Sequence, residues 1–146
     1  MKSSAVSATG TVSPCLLVED IQGELAFLKT VFGAKVSQRA TGFQGTVWQV
    51  EVQLGDVTLM IGRAHKDGVP VTAMLYVWID DVDAVHTRAM AAGATLISAP
   101  VDQPSGVREA GFKDPQGNIW WIGRRLKKPS NREVDRRLME QRRTRL

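Results

Sequence analysis

Asp20 and Asp81 stand 61 residues apart, Gly33 and Gly93 60, and Gly55 and Gly117 62. Around these landmarks one order of segments is written twice. LLVEDIQGELAFLKTVFGAKV (Leu16 to Val36) and VWIDDVDAVHTRAMAAGATLI (Val77 to Ile97) each pass from an apolar strand through an acidic pair and an amphipathic stretch to Gly-Ala and a second β-rich run. Downstream, GDVTLMIG (Gly55 to Gly62) is echoed by GNIWWIG (Gly117 to Gly123). A repeat constrains the fold more than any single motif, because both copies must form the same supersecondary unit.

The local signals agree within each copy. Asp20 and Asp81 are suited to cap helices, since a carboxylate accepts from the free N–H groups of the first turn and meets the positive end of the dipole. Ile21, Leu25, Leu28 and Phe32 recur at helical spacing, as do Val82, Val85, Ala89 and Ala92. Gly33 and Gly93 mark the helix ends. β-like segments are expected at about Lys35 to Arg39, Thr46 to Leu54 and Val57 to Ile61, and again at Thr95 to Ser98, Val107 to Lys113 and Ile119 to Gly123. Gly55-Asp56 and the run from Asp114 to Asn118 read as turns. The expected class is therefore α+β, with two tandem βαβββ modules at about residues 11–62 and 72–123. A four-stranded sheet carrying one helix has one covered face, leaving the other for something else.

A chain of 146 residues with 43% hydrophobic and 23% charged side chains fits one domain sharing a core between two halves. Residues 1–10 are expected to be flexible and lack the apolar run of a secretory signal, and no segment has the length of a membrane span. The lone Cys15 has no intramolecular disulfide partner, which makes a reducing cytoplasm the expected compartment. The net charge of +4 is unevenly placed: from Arg124 onward ten Lys/Arg face three acids, a local +7 that leaves the body at −3.

This basic extension, residues 124–146, has Ser130 and Glu133 at capping-box spacing ahead of a helix-forming run. Val134 and Leu138, joined by Met139 and Leu146, give it only a thin apolar stripe. Its arginines suit RNA, DNA or another acidic partner through counterion release. No aromatic stacking platform accompanies them, so a solvated extension or packing arm is the simpler expectation.

SPCLLVEDI, FGAKV, VEVQLGDVTLMIG, LYVWIDDVDAVHTRAMAAGA and GFKDPQGNIWWI, in this order and doubled, resemble the vicinal oxygen chelate superfamily. That superfamily includes glyoxalase I, bleomycin-resistance proteins, fosfomycin-resistance enzymes and extradiol dioxygenases; the likeness is greatest to its PhnB-like branch and covers about Thr11 to Gly123. The resemblance implies modules whose sheets form a curled mixed β-sheet around a cavity, commonly completed in a homodimer. It also implies four metal-ligand positions on the first and last strands, typically His and Glu. Here those positions hold Ser13, Met60, Met74 and Trp121, and a further histidine position on the third strand holds Gln49. A hydroxyl, two thioethers and an indole are poor partners for a hard or borderline divalent ion. His65, in a loop, and His86, mid-helix, are expected to be solvated or structural. No metal or other cofactor is expected, and a metal-dependent glyoxalase or dioxygenase is disfavoured.

Strand alternation then divides the two adjacent tryptophans of KDPQGNIWWIGRR: Trp121 faces the implied cavity with Ile119, and Trp120 and Ile122 face the helices. The same parity gives the cavity Ser13, Cys15 and Leu17, then Gln49, Glu51 and Gln53, then Met74, Tyr76 and Trp78, with Trp48, Val50, Val52 and Leu54 on the helix side. Aromatic faces with few polar groups suit a planar or amphipathic organic ligand. Large side chains also fill cavities, so a filled interior is the competing expectation. Glu51 is the candidate acid or base, because a carboxylate among aromatics is raised toward a useful range by desolvation. Arg108 is a candidate to orient an anion or to pair with Glu51. Cys15 and Ser13 lack a visible activating partner.

The sequence thus points to a metal-independent small-molecule-binding protein of the glyoxalase/bleomycin-resistance type, sequestering its ligand. The alternatives are a lyase or isomerase of the same superfamily working through Glu51, and an interaction protein working through its basic tail.

Overall fold

The computed structural model describes residues 10, 12–64, 71–126 and 128–145. The N-terminal stretch 1–9, Thr11, His65 with the rest of 65–70, Lys127 and Leu146 lie outside the described residues. The chain divides into two compact units, Met1–Ala73 with Asp114–Asn118, and Met74–Lys113 with Ile119–Leu146.

The first unit contains β1 (Cys15–Val18), α1 (Ile21–Phe32), β2 (Lys35–Thr41), β3 (Val47–Leu54) and β4 (Val57–Arg63). Its four-stranded sheet has the order β1-β4-β3-β2, with β1 parallel to β4 and the other pairs antiparallel. Asp20 caps α1, its Oδ1 accepting from the Gly23 N–H at 3.0 Å, and Gly33 ends the helix at φ 66°, a conformation that costs a side-chain-bearing residue far more. The buried stripe Ile21, Leu25, Leu28 and Val31 lies over Leu16, Val18, Val50, Val52, Leu59 and Ile61. Each such side chain removed from water contributes about 1.5–3 kcal/mol, which is what sets the register.

Trp48 departs from the expected parity. It is 53% exposed rather than packed under α1. The ladder pairs Thr41 with Val47 and Ala40 with Gln49, which leaves Trp48 on a bulge where strict alternation fails.

The turn Asp114–Asn118 belongs to the first unit. Asp114 Oδ1 accepts from the N–H groups of Gln116 (2.9 Å) and Asn118 (3.0 Å), folding the turn on itself. Gln116 Oε1 accepts from the Asp20 N–H at 3.2 Å, and Asn118 Oδ1 from the Ala73 N–H at 3.0 Å. Under it lies Glu24 of α1, fully buried, with Asp114 also buried. Burial, reinforced by the neighbouring Asp114 carboxylate, pushes the Glu24 carboxyl up to about 9, so it is neutral at pH 7.

The second unit repeats the first: β5 (Met74–Trp78), α2 (Val82–Ala91), β6 (Thr95–Asp102), β7 (Val107–Lys113) and β8 (Ile119–Arg125), in the order β5-β8-β7-β6. The doubling extends to the register, since Cys15 pairs with Met60 as Tyr76 pairs with Trp121. Asp81 caps α2 through the Ala84 N–H at 3.0 Å, and Val82, Val85 and Ala89 cover Ala110, Phe112, Trp120 and Ile122. His86 sits beside this core, its ring edge-on to Phe112 with centroids 6.4 Å apart.

Arg108 lies on the same strand face as Ala110 and Phe112. Its Nε and Nη2 donate to Asp83 of α2 at 2.7 and 2.8 Å, and its Nη1 donates to Asp102 of β6 at 2.9 Å. Asp83 is held below its usual carboxylate range by this guanidinium. Arg108→Met is expected to speed amide hydrogen exchange across the first turn of α2 without altering ligand binding; unchanged exchange would contradict this bracing role.

The chain closes with α3 (Asn131–Thr144), capped by Ser130 Oγ, which accepts from the Glu133 N–H at 3.2 Å. No residue of α3 is buried. No described helix is long and apolar enough to cross a membrane.

Candidate functional site

Each sheet keeps one face free of its helix. On the first, Cys15, Met60 and Glu51 lie in one row across β1, β4 and β3, with Leu17, Gly62 and Gln49 in the next. Cys15 is exposed, Met60, Glu51 and Gln49 are half-buried, and Ser13 is exposed just ahead of β1. Glu51 thus has a thioether neighbour and no aromatic ring in its own row.

The open face of the second sheet is built differently. Met74, Tyr76 and Trp78 of β5 are 71%, 42% and 51% exposed, a concentration of apolar surface that a folded chain seldom leaves bare without use. Beside them stand half-buried Trp121 on β8 and Glu109 on β7. The register explains why the rings lie flat. Tyr76, Trp121 and Gly111 form one row, and Trp78, Gly123 and Glu109 the next. A Cβ on Gly111 would sit 2.8 Å from the Trp121 ring, and one on Gly123 2.8 Å from Tyr76 Cζ. Glycine inside a strand weakens it, and here the missing side chains are the space that two aromatic rings occupy.

Polar contacts then fix the rings. The Tyr76 hydroxyl donates to Glu109 Oε2 at 2.8 Å. Burial first, then the Glu109 carboxylate, raises the Tyr76 phenol above its ordinary value, with Arg125 pulling the other way, so it remains a donor at physiological pH. Tyr76 and Trp78 meet with centroids 4.9 Å apart at 47°. The Arg125 guanidinium lies over Trp78, its Cζ 4.2 Å from the ring centroid, in cation–π geometry. Among the described residues no carboxylate forms a salt bridge with Arg125, whose charge faces solvent on an aromatic support.

Of the candidate residues, the second sheet brings together Met74, Tyr76, Trp78 and Trp121; the first holds Cys15, Gln49, Glu51 and Met60. Arg108 is not on either open face, because Asp83 and Asp102 engage it on the helix side. The residues that sequence reasoning missed are Glu109 and Arg125. Their signal was available: Gly111 and Gly123, interior to strands rich in aromatics, mark places where a neighbouring ring comes close.

Ser13, Met60, Met74 and Trp121, the positions that the family resemblance assigns to a metal, do not fit one. An indole offers no lone pair in its ring plane, thioethers are soft, and a serine hydroxyl is weak. Among the described residues no group of three His, Cys, Asp or Glu side chains stands close enough to hold an ion.

A sequence profile of the glyoxalase/bleomycin resistance protein/dioxygenase superfamily matches residues 10–122, and the chain belongs to that superfamily. It is similar to the crystal structure of TioX from Micromonospora sp. ML1, with TM-score 0.67 and 27% identity, over 80% of this chain and 100% of that one. A glyoxalase/bleomycin resistance protein/dioxygenase family enzyme from Burkholderia phytofirmans PsJN shares the fold, with TM-score 0.63 and 23% identity over 77% of this chain and 95% of that one. An uncharacterized protein of Mycobacterium bovis is 27% identical over 150 residues, 94% of this chain and 97% of its own length. The matched region stops short of α3.

Proposed function

We infer that this protein binds and sequesters a small planar aromatic or amphipathic molecule on the open face of its second sheet, without a metal ion. The observation that carries this reading is the platform of Tyr76, Trp78 and Trp121, made possible by two strand glycines, with Tyr76 and Trp78 exposed and Trp121 half-buried beside them. A planar ligand stacks on such a surface because its own ring and the indoles lose water together, at roughly 25 cal/mol per Å2 of apolar area, and gain offset contacts that a flexible surface cannot offer. Arg125 adds direction. Its guanidinium is planar, already stacked, and free to pair with a carboxylate, sulfonate or phenolate on the ligand. Sequestration needs no acid, base or nucleophile, which agrees with a face whose one carboxylate, Glu109, is committed to the Tyr76 hydroxyl.

Titration with 1-anilinonaphthalene-8-sulfonate, an amphipathic anion with a planar naphthalene ring, tests the reading. The native protein is expected to bind it saturably at one site per chain. Trp78→Ala is expected to weaken binding at least tenfold while leaving the unfolding midpoint within a few degrees of the native value. Equal affinity in the variant would overturn the assignment of the platform. Gly111→Val provides the converse test, since its Cβ must displace the Trp121 ring: the probe's affinity should fall although every platform residue is present.

A further inference from the structure

The arginines of α3 fall on two faces with different neighbours. Glu133, Arg137, Gln141 and Thr144, at i, i+4, i+8 and i+11, make up the face turned toward the β6–β7 turn, where Arg137 Nη1 donates to the Pro104 carbonyl at 3.4 Å. Arg132, Arg136, Met139 and Arg143, at i, i+4, i+7 and i+11, form the opposite stripe, with Arg142 beside it, and all five are exposed. Two of the helix's three acids are already used, and the third, Asp135, lies exposed on the outer face at i+3 from Arg132, leaving that face a net positive charge. Glu133 pairs with Arg136 at 2.6 Å and Arg137 at 3.0 Å, and Glu140 pairs with Arg136 at 2.6 Å. Among the described residues no carboxylate forms a salt bridge with Arg132, Arg142 or Arg143.

We propose that this outer face of α3 is a docking surface for the phosphate backbone of duplex nucleic acid, bound without sequence preference. Three features select that partner. The free cations of the helix are all arginine, whose planar fork matches phosphate oxygens bidentately. Among the described residues, the only exposed large apolar side chains of α3 are Leu138 and Met139, whereas insertion into a lipid interface needs a continuous apolar side. The face has no aromatic residue, so nothing on it stacks the bases of a single strand. From Arg132 to Arg143 the stripe extends about 16 Å at about 1.5 Å per residue, enough to reach phosphates on both walls of a major groove about 12 Å wide. The arginines of the outer face are all exposed and away from the β6–β7 turn, so packing against the fold does not account for them.

Fluorescence anisotropy of the full chain with a labelled 20-base-pair duplex, at salt concentrations from 50 to 200 mM, tests the proposal. Three to four neutralised phosphates predict a slope of log K against log salt of about −3, hence a loss of roughly 60-fold across that range. The variant Arg132→Gln/Arg142→Gln/Arg143→Gln should lose at least tenfold in affinity at 50 mM salt, with an unchanged circular dichroism spectrum and unchanged affinity for the naphthalene sulfonate probe. A slope near zero, native affinity in the triple variant, or tighter association with phosphatidylserine vesicles than with the duplex would each overturn it.

Discussion

Replacing Glu24 by Gln is expected to stabilise the protein at neutral and alkaline pH and to leave it nearly unchanged near pH 4.5. Glu24 is fully buried and titrates at about 9 in the folded chain, against an ordinary 4.5. A folded-state pKa raised above the unfolded one favours folding while both states are protonated. That contribution is lost as pH rises from 4.5 through 9, because the unfolded chain gives up its proton first. The slope in this window approaches about 1.4 kcal/mol per pH unit, so by pH 7 the native chain has lost on the order of 3 kcal/mol that an amide never risks. Gln has the shape of the neutral acid and keeps a donor for the Asp114 carboxylate. Urea unfolding between pH 5 and 9 checks this: the native midpoint should fall with pH and the Glu24→Gln midpoint should fall much less. Parallel profiles would contradict a neutral Glu24.

The second large effect separates the adjacent tryptophans. Trp120 is 0% exposed, opposite Phe112 and Leu75 in the ladder and under α2. Trp120→Ala empties a site that its neighbours cannot collapse into, at a cost of about 3–5 kcal/mol, a large part of the stability of a domain this size. Trp121, one residue on, points to the open face and is half-buried. Trp121→Ala should cost clearly less, about 1–2 kcal/mol, because its ring lies on an open face over Gly111 and its removal leaves no enclosed cavity, yet remove most of the affinity for the naphthalene sulfonate. Comparable destabilisation by both substitutions would mean that Trp121 is core, and that the platform is only the rim of a packed interior.

Where local periodicity decides, the chain was legible. The doubled order of elements, both Asp caps and the split of Trp120 from Trp121 follow from spacing alone, and the strands differ mainly in running further at their ends, β2 to Thr41 and β6 to Asp102. Errors arise where something distant or irregular intervenes. A bulge between β2 and β3 exposes Trp48, against its parity. Arg108 reads as a strand cation facing a ligand, but Asp83 of α2, packed on the other face of the sheet, is within reach. Glu24, a first-turn acid of α1, was not singled out in the sequence. Its burial comes from a turn some ninety residues away in sequence, although its place between Ile21 and Leu28 on the apolar stripe was a warning. Glu109 and Arg125 were missed because their roles depend on register across β5, β8 and β7, which alternation within one strand does not supply.

The central claim is that stacking on Tyr76, Trp78 and Trp121, rather than coordination by an ion, holds the ligand. It is tested most directly by calorimetric titration of 1-anilinonaphthalene-8-sulfonate into EDTA-dialysed protein, repeated after one equivalent of Zn2+ or Ni2+ is added. The account predicts one site with the same affinity and enthalpy in all three titrations. Binding that is absent in EDTA, or tightens tenfold or more with either metal, would contradict it.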